Sequence, residues 1–139
     1  MDFDRLTNQT KQALSQSQQI LQRYHHTQLD VEHLLLALLE QTGGVIPRVL
    51  QAAGAQTEGI QQQLERELGK RPQISGGSGD TSQIYITPAL NRVLDLALEM
   101  AQRFGDQFVA AEHVLLAVLE DTQTPGAQIL SSAGLTEEK

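Results

Sequence analysis

The segment VEHLLLALLE at residues 31–40 returns as AEHVLLAVLE at residues 111–120. Sliding the chain along itself by 80 residues aligns positions 6–54 with 86–134 without a gap, and 15 of these 49 pairs are identical. Unrelated Leu-rich helices would match in scattered patches and a drifting register. A fixed offset over this length is the mark of duplication. The chain is therefore expected to fold as two related halves that share one pattern of elements.

That pattern is helical. Thr7 and Thr87 stand where an N-cap belongs, and Pro88 suits the first helical position. Apolar residues then recur at helical spacing, as Leu14, Ile20, Leu21 and Tyr24 in one copy and Leu90, Leu94, Ala97, Met100, Ala101 and Phe104 in the other. Gly105 follows as a stop. The repeated motif forms the second helix, with Asp30 as its cap in the first copy. Third helices are expected at about 46–53 and about 125–133, the latter with Thr124-Pro125 as cap and first turn. A fourth follows Thr57, with Ile60, Leu64 and Leu68 on one face and Gly69 at its end. No alternating run predicts a strand. Gln83–Ile86 is the only β-like piece, and it is too short to build a sheet.

The expected fold is thus all-α, a pseudo-twofold tandem repeat of two four-helix units. It has about eight helices in one domain over residues 1–139. Repeat one is 6–70. A Pro-, Gly- and Ser-rich connection at 71–85 reads as exposed and flexible. Repeat two is 86–139, with its final helix cut short. Leu34, Leu35, Leu38 and Leu39, with Val114, Leu115, Val118 and Leu119, are expected at the centre of the core.

Composition narrows the function. A net charge of -7 argues against a basic face for nucleic acid, and an anionic membrane surface would repel such a chain. No apolar run reaches the length of a membrane span. The opening residues Met1 to Arg5 carry no apolar stretch of the kind a secretory signal needs, and there is no Cys. These features favour a cytoplasmic setting.

Several segments carry a family resemblance: the paired EHLLLALLE and EHVLLAVLE, the opening DRLT, the AAG turn, LGKRPQISG, and LNRVLDLALEMAQRFGDQFVAAEH. Together they resemble the N-terminal domain of Clp ATPases, and among these the ClpB-type disaggregases most. The resemblance covers essentially the whole chain. It implies a non-catalytic domain joined by a mobile C-terminal linker to AAA+ modules, where ATP and Mg are bound. The domain itself is expected to hold no cofactor. It also implies a role in recognising unfolded or aggregated proteins, within a hexameric parent that cooperates with an Hsp70-type chaperone. Related domains dock adaptor proteins, and the isolated domain is expected to be monomeric.

Little in the residues suggests catalysis. There is no phosphate-cradling G-x-x-x-x-G-K-[ST] and no H-E-x-x-H. His33 and His113 occupy equivalent positions beside Glu32 and Glu112. A helix-start carboxylate and a hydrogen-bonded histidine account for both pairs without metal.

Divergence between the copies is the more useful signal. Gln16 is replaced by Leu96 and Gln18 by Leu98, which widens the apolar arc of the 88–104 helix from roughly 120° to roughly 200°. The excess is either packed between the halves or exposed as a groove for apolar peptide segments. The resemblance favours a groove floored by Leu96 and Met100, with Val93 beside them. Its implied polar rim is Thr7, Asp106 and Glu112. Each rim residue also has a plain structural role available: an N-cap, a turn acceptor and a dipole partner respectively. In ClpC-type relatives a Gly-Thr-Glu-His motif in each repeat reads phosphorylated arginine. Here Glu32 and Glu112 match, but Val31 and Ala111 replace the threonine.

Overall fold

The computed structural model describes residues 6–41, 45–52, 54, 57–71, 85–106, 108–120 and 124–132. Seven helices and two short strands lie among them: α1 (Asn8–Arg23), β1 (Gln28–Leu29), α2 (Val31–Glu40), α3 (Val45–Ala52), α4 (Thr57–Gly69), β2 (Tyr85–Ile86), α5 (Pro88–Arg103), α6 (Ala111–Glu120) and α7 (Pro125–Ser132). The helices α1, α2 and α3 recur as α5, α6 and α7, with every boundary displaced by 80 residues. The expected final helix falls outside the described residues.

The caps repeat as well. Thr7 and Thr87 adopt the same extended conformation, and each hydroxyl accepts the N–H three residues on. That satisfies one of the donors a helix start leaves orphaned. After α5, Gly105 takes a positive φ of 78°, a backbone shape that favours glycine. The equivalent residue after α1 is His25, which takes a φ of 56° without glycine's freedom.

The core is aliphatic. Leu34, Leu35 and Leu38 are buried, as are Val114, Leu115, Val118 and Leu119. Leu36 is fully buried as well, whereas Leu39 is only partly so. Eight consecutive residues of α2, Val31 to Leu38, are buried, because other helices cover it on several sides.

The strand expectation needs correction. Tyr85–Ile86 does pair, in parallel, with Gln28–Leu29. A second bridge joins Leu6 to Val109. These two contacts are images of each other at the 80-residue offset. The Thr87 N–H donates to the Leu29 carbonyl at 3.0 Å, and the Thr7 N–H donates to the Val109 carbonyl at 3.0 Å. Each half therefore lends the residues before its first helix to the other half. The third helices follow the same rule, with α3 packing on α6 and α7 on α2. Periodicity could not reveal these contacts, because they join residues far apart in the chain, Leu29 with Ile86 and Leu6 with Val109.

The connection also differs from expectation at its ends. Tyr85 belongs to β2, and Arg71 is held by acidic side chains rather than loose in solvent. Residues 72–84 lie outside the described residues.

Candidate functional site

The Leu6–Val109 bridge places Thr7 against the turn between α5 and α6. Asp106 lies in that turn, and Glu112 sits in the first turn of α6. The three expected rim residues are thus gathered at one end of the second half.

His113 organises this end. The Ala110 N–H donates to His113 Nδ1 at 2.9 Å, so the ring proton sits on Nε2, which donates to Asp106 Oδ2 at 3.0 Å. The imidazole is buried while the Asp106 side chain is 53% exposed. One carboxylate is therefore fixed in direction yet open to solvent. Glu112 is exposed and makes no hydrogen bond or ion pair among the described residues. Thr7 is half-buried, with its hydroxyl shared between the Thr10 N–H and the Thr10 hydroxyl.

The expected apolar floor is different in the structure. Val93 and Met100 are 0% and 4% exposed. They stand where Ala13 and Ile20 stand in the first half, both fully buried, so they are shared core positions and not part of the divergent surface. Leu96 is partly buried and lines a shallow hollow of about 240 Å³ with Arg92, Val93 and Glu120. It lies some eight residues from Phe104, about 12 Å along the helix, and so apart from the rim.

The apolar surface beside the rim is aromatic. Phe104 is 62% exposed at the end of α5, and Phe108 is 50% exposed in the turn. Phe104 stacks on His113 with ring centroids 6.1 Å apart. Sequence reading placed Phe104 in the helical stripe and passed over Phe108. The available signal was the replacement of Gln28 by Phe108 between copies.

The first half carries the same site in a closed form. Tyr24 stacks on His26, and His33 Nε2 donates to His26 Nδ1 at 2.9 Å. Asp30 caps α2, with the His33 ring accepting the Asp30 N–H in return at 3.0 Å. Asp30 also accepts from the Thr87 hydroxyl at 2.8 Å. Burial, His26 and nearby Arg71 push the His33 pKa down to about 4, so this pair is neutral. Burial and Arg71 lower that of His26 as well.

Arg71 fills this copy. Its guanidinium bonds Asp30 Oδ2 at 2.9 Å and Glu32 Oε1, with Glu67 at 3.8 Å. Glu32 is fully buried and also accepts the Gly126 N–H at 2.9 Å, at the start of α7. Burial and Asp30 raise the Glu32 pKa, and Arg71 and the Gly126 N–H partly offset that rise. A polar hollow of about 500 Å³ lies alongside, bordered by His26, Asp30 and Arg71. No cluster of three or more metal-ligating side chains is present among the described residues. No helix there is long and apolar enough to cross a membrane.

Two interlocked copies of a helical unit, one presenting the fixed Asp106 carboxylate beside exposed aromatic rings, make up a helical repeat domain built by duplication. The chain belongs to the family described as the Clp repeat (R) N-terminal domain, whose sequence pattern matches residues 5–133. Domains of this family are the non-catalytic N-terminal parts of Clp ATPases. The chain is 38% identical over 140 residues to chaperone protein ClpB of Nitratidesulfovibrio vulgaris, covering 100% of this chain and 16% of that protein. It thus spans a small part of that relative's length. Its fold matches the Hsp104 N-terminal domain of Candida albicans with a TM-score of 0.80 at 22% identity, over 96% of this chain and 84% of that one. It also matches a ClpV N-domain solved in complex with a VipB peptide, with a TM-score of 0.73 at 19% identity, over 94% and 79% of the two chains.

Proposed function

We propose that this Clp chaperone N-domain is a substrate-recognition domain, weakly binding apolar segments of unfolded or aggregated proteins at the α5–α6 turn. The observation that carries the reading is Phe104 and Phe108 exposed on either side of the directed Asp106 carboxylate, with Glu112 and Thr7 beside them. Neighbouring exposed aromatic rings rimmed by polar groups are the kind of surface on which polypeptide partners dock. Leu96 adds a detached apolar spot on the same helix. The ATPase activity, ATP and Mg sites, hexameric assembly and Hsp70-type partnership implied for the parent belong to this reading, as does a cytoplasmic location.

Adaptor docking is the second reading, and the peptide complex of the ClpV N-domain favours it. Tight binding of one folded partner would separate it from weak binding of many unfolded ones. Phosphoarginine reading has less support, because Glu32 is buried beneath Arg71.

The test is an NMR titration of the labelled domain with a permanently unfolded protein. Shifts centred on Phe104, Asp106, Phe108 and Glu112, reduced by Phe108→Ser, are expected. Silence of that face at high substrate concentration would make adaptor docking the leading reading.

A further inference from the structure

The third residue of α2 and of α6 is a histidine, and each holds a different group in the same way. His33 accepts the Asp30 N–H at 3.0 Å and donates from Nε2 to His26 at 2.9 Å. His113 accepts the Ala110 N–H at 2.9 Å and donates from Nε2 to Asp106 at 3.0 Å. His26 and Asp106 are equivalent at the 80-residue offset. In the first half the held group is a buried ring, and the bond is internal. In the second it is a carboxylate at the surface, beside the exposed Phe104 and Phe108. The duplicated bond is thus turned outward in one half. The Asp106 backbone is already placed, because its N–H donates to the Ala101 carbonyl at 2.8 Å. What remains to be set is the side chain, and His113 sets it. The same imidazole lies against Phe104, with the ring planes 29° apart.

We propose that His113 is the positioning residue of the substrate-binding face, aiming the Asp106 carboxylate outward and seating the Phe104 ring beside it. This deepens the substrate-recognition reading and rests on it. His113 is buried and acts through these two neighbours. Its bond occupies Oδ2 of Asp106 and leaves Oδ1 without a partner among the described residues, open to an N–H of a bound segment. An aspartate in an exposed turn otherwise samples several rotamers, and that freedom is lost when it binds. A side chain held in place beforehand loses less, so the same contact yields more affinity. The first half shows that the histidine bond belongs to the repeat as a whole. Only the second half has a surface group for it to aim.

The test compares His113→Gln with His113→Met, two unbranched side chains of similar length. Both lose the ring beside Phe104. Glutamine at this position can accept the Ala110 N–H, as in a capping box, and donate to Asp106, whereas methionine does neither. In NMR titrations of the labelled domain, the Gln variant is expected to bind a permanently unfolded protein about fivefold more tightly than the Met variant, the scale of one net hydrogen bond. With Asp106→Ala added to each, the two are expected to bind alike. Equal binding while Asp106 is present would overturn the proposal. So would a difference that survives Asp106→Ala, since helix capping would then be its cause. A second measurement needs no variant and stands even where the Met variant does not fold. Imidazole nitrogen spectra of the unchanged protein are expected to show the His113 proton on Nε2, and that signal is expected to shift as unfolded protein is added. A proton on Nδ1 would overturn the proposal. Shifts at Phe104, Asp106 and Phe108 with an unmoved His113 would remove this proposal alone. Silence of all four residues would remove the substrate reading with it.

Discussion

Replacing Arg71 by Met keeps most of the side-chain volume and removes the only cation bonded to Glu32 among the described residues. Glu32 is then a fully buried carboxylate with one remaining donor, the Gly126 N–H. Breaking a buried pair from one side costs about 3–5 kcal/mol, whereas an exposed pair is worth under about 1 kcal/mol. The Arg71 side chain is 21% exposed and that of Glu32 1%, which places this pair near the lower end of the buried range. A loss of about 3 kcal/mol is expected at pH 8, a fall in Tm of about 10 °C. The sign of its pH dependence follows from Glu32. Its folded pKa lies above the ordinary carboxylate value, and without Arg71 it rises further. A raised folded pKa gives stability that is present at low pH and lost as pH rises through that value. The gap between variant and parent should therefore widen from acid to alkaline pH. Urea unfolding of both proteins between pH 5 and pH 8 measures it. A difference below about 1 kcal/mol at pH 8, or one that does not change with pH, would refute the reasoning. Adding Glu32→Gln to the variant should recover part of the loss, since it removes the stranded charge.

Four further outcomes are expected. The His33 ring should titrate with a midpoint near 4 by NMR. Because an unfolded histidine titrates near 6.5, the stability tied to this ring is intact above that value and drains away as pH falls towards 4, by about 3 kcal/mol in all; a midpoint near 6.5 contradicts the neutral pair. Met100→Ala should cost about 3 kcal/mol by chemical denaturation, while Leu96→Gln, which restores the first-half residue, should cost under about 1 kcal/mol. Gly126→Ala should destabilise by about 1–2 kcal/mol in thermal melts, because its Cβ would sit 2.7 Å from Leu35 Cδ1 and 2.9 Å from Glu32 Oε2. Thr87→Ala should cost about 1–2 kcal/mol, since one hydroxyl both caps α5 and bonds Asp30.

Helices and repeat were readable because they are written locally. Capping threonines, apolar spacing and the 80-residue offset each need only a short window. The exchange of residues 6 and 86 between halves was not readable, because parallel bridges of one or two residues leave no alternating pattern. Arg71 was misread for a related reason. Its composition neighbours are Pro, Gly and Ser, yet its partners Asp30 and Glu32 lie about 40 positions earlier. At the candidate site the resemblance supplied Thr7, Asp106 and Glu112, which the structure puts at one end of the second half, while two of the expected floor residues, Val93 and Met100, are core. A helical wheel counts how wide an apolar arc is, but not which part of it the partner half covers. Comparing Val93 with Ala13 and Met100 with Ile20 would have marked both as shared core. Extending the same comparison past the helix, to Gln28 against Phe108, would have pointed to the exposed ring.

The reciprocal bridges also bear on how such a chain comes off a ribosome. Leu6 is sealed by Val109, and the start of α2 by α7. While only residues 1–70 have emerged, the first repeat has its helices but not the segments that close it. One side of α2, where α7 packs at Gly126, stays open until residues 125–132 arrive. The loop that must close between Leu6 and Val109 spans most of the domain, so this contact forms only after the second repeat has emerged. Completion of the first repeat therefore waits for the second, and a nascent chain of this kind carries, for a time, an open apolar helix face of its own.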